Sequence, residues 1–529
     1  MNQLPGNIWM ISPMLLSGIV GIELLVSSFV SHIRISSEAE QKKREKKENS
    51  GVQGKAVVAL KKETEEKPES LLHLLVGVTL FISALLVLAI VWWGNVDMTL
   101  FYLMDEIPIY FHVDALGRLF VTVTSIIWPA VGVYSFVYMK HEGEEKRFFG
   151  FFLLVYAVVL SLEFAGNLVT FYFFYEMMTL ASMPLVLHNE TKEAIMAALK
   201  YLFYSMCGAY CALFGIYFLN RYCYTLRFVA GGTLNMTLVS ENSLVLQIAV
   251  LLLIIGFGTK AGMLPFHSWL TAAHPVAPAP ASAALSSIIV KGGVLAVIRS
   301  IYYVVGPEFL RGTWIQTVWM ILTLITVFMG SLLAYREKVF KKRLAYSTVS
   351  QVSYILFGLA TLHPTAMTGS LLHFVYHACI KCALFLTAGI FIFRTGKTRA
   401  EEYTGIGKQM PITLWCYTFA SLALIGIPPM SGFISKWYLA QGALQADIGI
   451  FRILGPVVLL LSALLTAGYL LPITLKGFFP GKGFPEAAQK EPIDRMAAAL
   501  LVLAVLAVLL GILPNPLIGY AGEIAASVY

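Results

Sequence analysis

Charge is what this chain has least of. Only 13% of its 529 residues are Asp, Glu, Lys or Arg, against about 25% in soluble domains. With 58% hydrophobic residues and a mean hydropathy of +0.75, that scarcity excludes an ordinary soluble fold and points to an integral membrane protein. Cysteine is scarce as well. Of the six cysteines, only Cys379 and Cys382 form a C-x-x-C pair. That pair lies in an apolar stretch with no second pair, whereas iron–sulfur ligation needs four thiolates. Core packing accounts for it, and no redox centre is expected. Nucleotide-binding and metal motifs are missing, so no catalytic residue, metal or cofactor is expected. A cleavable leader is also missing: the first apolar run, Ile8 to Ile33, lacks a basic start and a small-residue cleavage site, and it is long enough to span. The net charge of +8 does not signal nucleic acid, because the charges gather in loops between apolar runs.

What the chain has is long apolar runs. A spanning helix needs about 20 such residues. Fourteen segments qualify, near 8–33, 71–93, 113–138, 148–166, 168–188, 194–219, 244–264, 279–303, 313–335, 344–361, 366–393, 411–443, 453–475 and 495–515. The fold class expected is an all-α polytopic membrane protein. Residues 1–33 hold the first span, 34–69 a charged cytoplasmic linker, and 70–138 the second and third spans. Two repeats of five spans follow, 148–303 and 313–476, and 495–529 holds the last span and an outer C-terminus. The linker carries ten Lys/Arg and eight Glu. It reads as a disordered spacer or a charged helical hairpin, solvated or partner-binding.

Positive charge orients the bundle. The loops after odd-numbered spans hold 28 Lys/Arg and those on the other side hold five, among them Arg299. The odd loops are therefore expected in the cytoplasm and both termini on the outer face of the plasma membrane.

Charges within the spans are costly, about 2.5–3.5 kcal/mol each on insertion scales, and are kept where a polar pathway needs them. Lys260 and Lys291 flank a Pro- and His-rich break from Pro265 to Pro280, with His267 and His274 in it. Those two histidines are either points where protons come in or ordinary loop residues. Glu176 lies mid-span, and a nearby ammonium would keep it ionised; Lys260 is the expected partner. His373, His377 and Lys381 stand at i, i+4 and i+8, on one helix face, as a proton relay would. Zinc at the two histidines lacks a third ligand. Lys436 follows Pro428-Pro429, a second interruption that frees backbone groups. Two broken spans in corresponding places suggest internal repeats and a midplane ion path. Glu163 and Asp114 lie near the outer ends of their spans, with Glu163 either an exit group or interfacial.

The stretch GFGTKAGMLPFHSWLTAAHPVAPAPASAALSSIIVK, with FYFFYEMM, RLAYSTVSQ, LLHFVYHACIKCALFL and GIPPMSGFISKW, resembles the antiporter-like subunits. These belong to respiratory complex I, Mrp-type sodium/proton antiporters and energy-converting membrane-bound hydrogenases. The motifs run in order from about His112 to Lys476. The resemblance implies fourteen helices, two inverted five-helix repeats, broken seventh and twelfth helices and a central polar axis. It places Glu176 as the essential fifth-helix glutamate, Lys260 as its partner, and Lys291 on the eighth helix. His373, His377 and Lys381 become the connecting group, and Lys436 the terminal residue.

Some features depart from the family pattern. Thr271 stands where proline is usual, the linker is longer than usual, and no long lateral C-terminal helix follows the last span. GFGTKAG and EMMTLAS lean toward the hydrogenase branch, while SKW leans toward Mrp-like members.

The expected function is proton movement, alone or coupled to sodium, by one subunit of a multisubunit complex with no active site of its own. The expected relay passes from Lys260 to Lys291, then through His377, His373 and Lys381 to Lys436. Its partners are further antiporter-like and small helical subunits and the bilayer, without nucleic acid. The parent complex is of hydrogenase or complex I-like NADH dehydrogenase type, or else of Mrp type. A stand-alone carrier is the rival from another class.

Overall fold

The computed structural model describes residues 8–48, 66–104, 107–239, 243–481 and 491–529. The tip of the charged linker, 49–65, lies outside the described residues. Its start does not: α1 (Ser12–Glu48) runs on as helix through the charged run, and α2 (Glu66–Trp93) begins on the far side. A hairpin of β1 (Asp97–Met104) and β2 (Ile107–His112) follows, pairing Asp97 with His112 and Met98 with Phe111.

The first bundle holds α3 (Ala115–Glu142), α4 (Glu145–Glu163), α5 (Leu168–Val186) and α6 (Lys192–Tyr222). It continues with α7 (Ser243–Lys260), α8 (Ser268–Val276) and α9 (Ala279–Val305). The second holds α10 (Trp314–Arg336), α11 (Phe340–Ala360), α12 (Pro364–Thr395) and α13 (Pro411–Ile425). After these come α14 (Ser431–Gln445), α15 (Phe451–Phe478), α16 (Arg495–Ile512) and α17 (Asn515–Val528). Eleven of these helices are long and apolar enough to cross a membrane. The chain is a multi-span, mostly helical membrane protein.

Helix starts follow from short polar side chains that accept otherwise unpaired N–H groups. Asp114 accepts from Gly117 N at 2.8 Å, Asn167 from Thr170 N at 2.7 Å and Asp494 from Ala497 N at 2.9 Å. Pro364 and Pro411 open α12 and α13, where a missing N–H does no harm.

The core lies along α9 and α12. Both are buried over nearly their whole length, α9 without exception. Several other spanning helices expose an apolar stripe, as lipid-facing helices do: Leu85 and Leu74 on α2, Phe203 and Tyr217 on α6, Leu460 and Leu464 on α15.

Three features depart from the sequence reading. The Pro-rich break contains a helix, α8, which carries a wholly buried His274 where a loop residue was one alternative. The hairpin and α17 were not foreseen. Arg299, assigned above to an outer loop, is wholly buried in α9, where loss of hydration demands an ionic partner. Its Nη1 and Nη2 donate to Asp114 Oδ2 and Oδ1 at 2.5 and 2.7 Å.

Candidate ion path

The interruption after Lys260 is a turn at Gly262, whose φ of +80° suits glycine, followed by Pro265. Lys260 is the last residue of α7, and it is wholly buried. Its Nζ donates to Tyr201 OH at 2.6 Å, Thr179 Oγ1 at 2.9 Å and Ser205 Oγ at 3.4 Å. It also lies 4.4 Å from the Tyr201 ring centroid, a face that attracts cations. The direct pair with Glu176 expected from the sequence is not made. No ion pair within 4.0 Å joins the two among the described residues, and Glu176 Oε1 is buried without a hydrogen-bond partner. Thr179 is one turn past Glu176 on α5, so its hydroxyl takes the ammonium that the carboxylate would otherwise hold.

Lys291 sits in α9, just past a π-helical turn at Leu285–Ile289. Such a turn shifts the bonding register and leaves carbonyls exposed to other donors, and Lys291 Nζ folds back onto Ser286 O. Ser286 Oγ in turn meets Thr348 Oγ1 at 2.8 Å.

On α12, Lys381 Nζ donates to Leu344 O at 3.0 Å. His377 is wholly buried, and neither ring nitrogen has a protein partner. Its ring centroid lies 5.8 Å from that of His373, whose Nδ1 is 2.9 Å from Ser435 Oγ. That contact revises the expected order along the row. His373 is the member beside α14, next to Lys436, and Lys381 stands two turns away from it. The sequence reading had put Lys381 next to Lys436.

Lys436 is half-buried, and its Nζ donates to Leu424 O at 2.7 Å and Ile425 O at 2.8 Å. These are the last carbonyls of α13, left open where the helix stops at Gly426 (φ +89°) and the double proline. The lysine thus supplies the polar partner that the break demands. Its ammonium also lies 5.2 Å from the Tyr354 ring centroid.

The outlying candidates differ among themselves. Glu163 is buried, with Oε1 accepting from Thr124 Oγ1 at 2.6 Å. His267 is half-buried, 6.2 Å from the Tyr346 ring centroid. His274 stacks on Phe385 at 4.5 Å with neither nitrogen bonded to protein. Lys341, which sequence reasoning counted as a loop charge, is buried at the start of α11 with Nζ on Pro275 O at 3.3 Å and on Ala277 O. The hydroxyls around Lys260 were also missed, because serine, threonine and tyrosine in apolar helices carry no spacing signal. Among the described residues, no group of three or more His, Cys, Asp or Glu could hold a metal ion.

Chemically, the row can hold and pass protons. Its members are bases with dipoles for neighbours, set between two broken helices, and all but Lys436 are buried within the protein.

Known proteins are similar to this chain in sequence and fold. The chain is 31% identical to "NADH-quinone oxidoreductase subunit N" of Desulforudis audaxviator, over 77% of this chain and 82% of that one. It is 32% identical to "Hydrogenase-4 component B" of Escherichia coli, over 76% of this chain and 62% of that one. Its fold matches a chain of the Mrp complex from a Dietzia species with a TM-score of 0.76 at 22% identity, covering 99% of this chain and 98% of that one. The family described as NADH:quinone oxidoreductase/Mrp antiporter, TM, matches residues 165–466, more than half of the chain, and the chain belongs to that family of antiporter-like membrane subunits.

Proposed function

We propose that this protein moves protons, alone or in exchange for sodium, as one membrane subunit of a multisubunit complex with no chemistry of its own. One observation carries the reading: the buried bases Lys260, Lys291, Lys381, His377 and His373, with half-buried Lys436 at the end of the row, lie between two interrupted helices. Each such group is expensive in a membrane interior unless it serves a path.

In this reading Glu176 and Lys260 form a switch, and the present arrangement, with Lys260 on hydroxyls, is its separated state. Moving one charge against 100 mV costs about 2.3 kcal/mol, which is within reach of buried-charge energies. Helices α4–α9 and α10–α15 form two inverted five-span repeats, which with α1–α3 and α16 make fourteen spans. Each repeat contributes one break, α7/α8 and α13/α14. Both termini face outward across the plasma membrane. Glu163 lies toward the outer side, as an exit group would, and His267 and His274 lie toward the cytoplasm. The parent complex is of quinone-reducing, hydrogenase or Mrp type, a reading supported by the names of the relatives, and partner subunits cover part of the exposed apolar stripes.

The test is Lys260→Ala in the assembled complex. It is expected to abolish ion translocation in sealed vesicles while subunit composition stays intact. Translocation at the unmodified rate would overturn the reading. Purification as a single chain that moves an organic solute would favour a stand-alone carrier instead.

A further inference from the structure

Two cavities meet on the side that holds the positively charged loops. The wider one, about 720 Å³, is lined by His32, Glu142, Arg147, His188 and Asn189 among others. The narrower, about 150 Å³, shares Glu142 and Asn189 with it and reaches inward to Pro275, Ala277 and Lys341. At that inner end Lys341 holds the carbonyls of Pro275 and Ala277, which lie where α8 stops at Val276 and lack the next helical turn.

His274 stands directly behind this clasp, wholly buried, its two ring nitrogens unpartnered. A buried polar group without a partner costs about 1–3 kcal/mol, so a histidine kept here only for packing would be a poor choice. Its ring stacks on Phe385, which is one helical turn from Lys381 on α12. The clasp, the histidine and the relay row are therefore consecutive.

We propose that these cavities form a one-sided uptake port for protons, with Glu142 at the mouth, Lys341 as the latch and His274 as the inner acceptor. The port rests on the ion-path reading and deepens it. The Glu142 carboxylate takes a proton from bulk water and releases it through water to an unprotonated nitrogen of His274. The imidazolium gives the proton to the unprotonated amine of Lys381 and returns to its neutral form. Only O–H and N–H bonds are made and broken. The Lys341 clasp swings aside for each transfer and then restores the seal.

The experiment uses the assembled complex in sealed inverted vesicles, with Asn189→Cys at the shared wall. A bulky membrane-impermeant maleimide added outside is expected to lower translocation at least about tenfold relative to the untreated variant. The same reagent trapped inside has no effect, and the unmodified chain, whose Cys207 is naturally exposed, stays active. Glu142→Gln is expected to slow uptake in dilute buffer and to recover in concentrated buffer on that side, which a purely structural role would not produce. Full activity of the labelled variant, or a Glu142→Gln defect indifferent to buffer, overturns the port. If Lys260→Ala abolishes translocation in the same vesicles while either of those results is found, the path stands and the port alone falls.

Discussion

A guanidinium removed from water needs a carboxylate in the right plane, and Arg299 has one in Asp114, 185 residues away along the chain. The two parallel N–H···O contacts are a geometry that lysine cannot copy. Cutting Arg299 to alanine leaves a largely buried carboxylate at the start of α3, and about 3 kcal/mol of stability should be lost. Arg299→Lys should recover only part of it. Thermal unfolding of the purified subunit measures both. Neither partner was legible beforehand. An arginine at the end of an apolar run looks like an ordinary loop charge, and nothing local announces a distant acid. The burial of the lysines and histidines proposed as a relay was legible for the opposite reason, since such residues inside apolar runs have no bland explanation as strong. The hydroxyl seat of Lys260 escaped, because its three members come from two other helices.

At the scale of elements, the closest fit is between α13 and α14. A Cβ on Gly432 would fall 1.9 Å from Ala423 O, inside any allowed contact. Gly432→Ala must therefore push the start of α14 away from the end of α13, the same gap that Lys436 bridges. Such overpacking costs about 1–3 kcal/mol. The variant should unfold at lower temperature and translocate more slowly, with both assays run on the assembled complex. The two breaks could be read from prolines and glycines, which interrupt helices by covalent necessity. Helices α8 and α17 could not, being nine and 14 residues long and too short to register as spans. The hairpin hid between spans, its strands eight and six residues long and irregular in register.

For the whole molecule, hydropathy placed the spanning segments because burial in lipid imposes length on each. It could not rank them. That α9 and α12 are enclosed by protein while α6 and α15 show one face outward is a matter of packing, since these four are comparably apolar. The two halves share one row of bases, so their variants should not add. Lys436→Ala and the double variant should both be as inactive as Lys260→Ala, whereas independent paths would leave each single variant part of its rate. Vesicle assays of the three variants decide it.

The row also has a peculiar electrical balance. From Lys291 to Lys436 its amines donate to carbonyl oxygens, with no carboxylate paired to them among the described residues. Lys381 and His373 are about 12 Å apart along their helix, where two unit charges at an effective dielectric constant of about 20 repel by about 1.4 kcal/mol. One added proton therefore lowers by about tenfold the chance of a second two turns away. If protons travel this row as proposed, they do so in single file with exclusion, and the spacing of the bases, set by the pitch of α12, fixes how many charges it can carry at once.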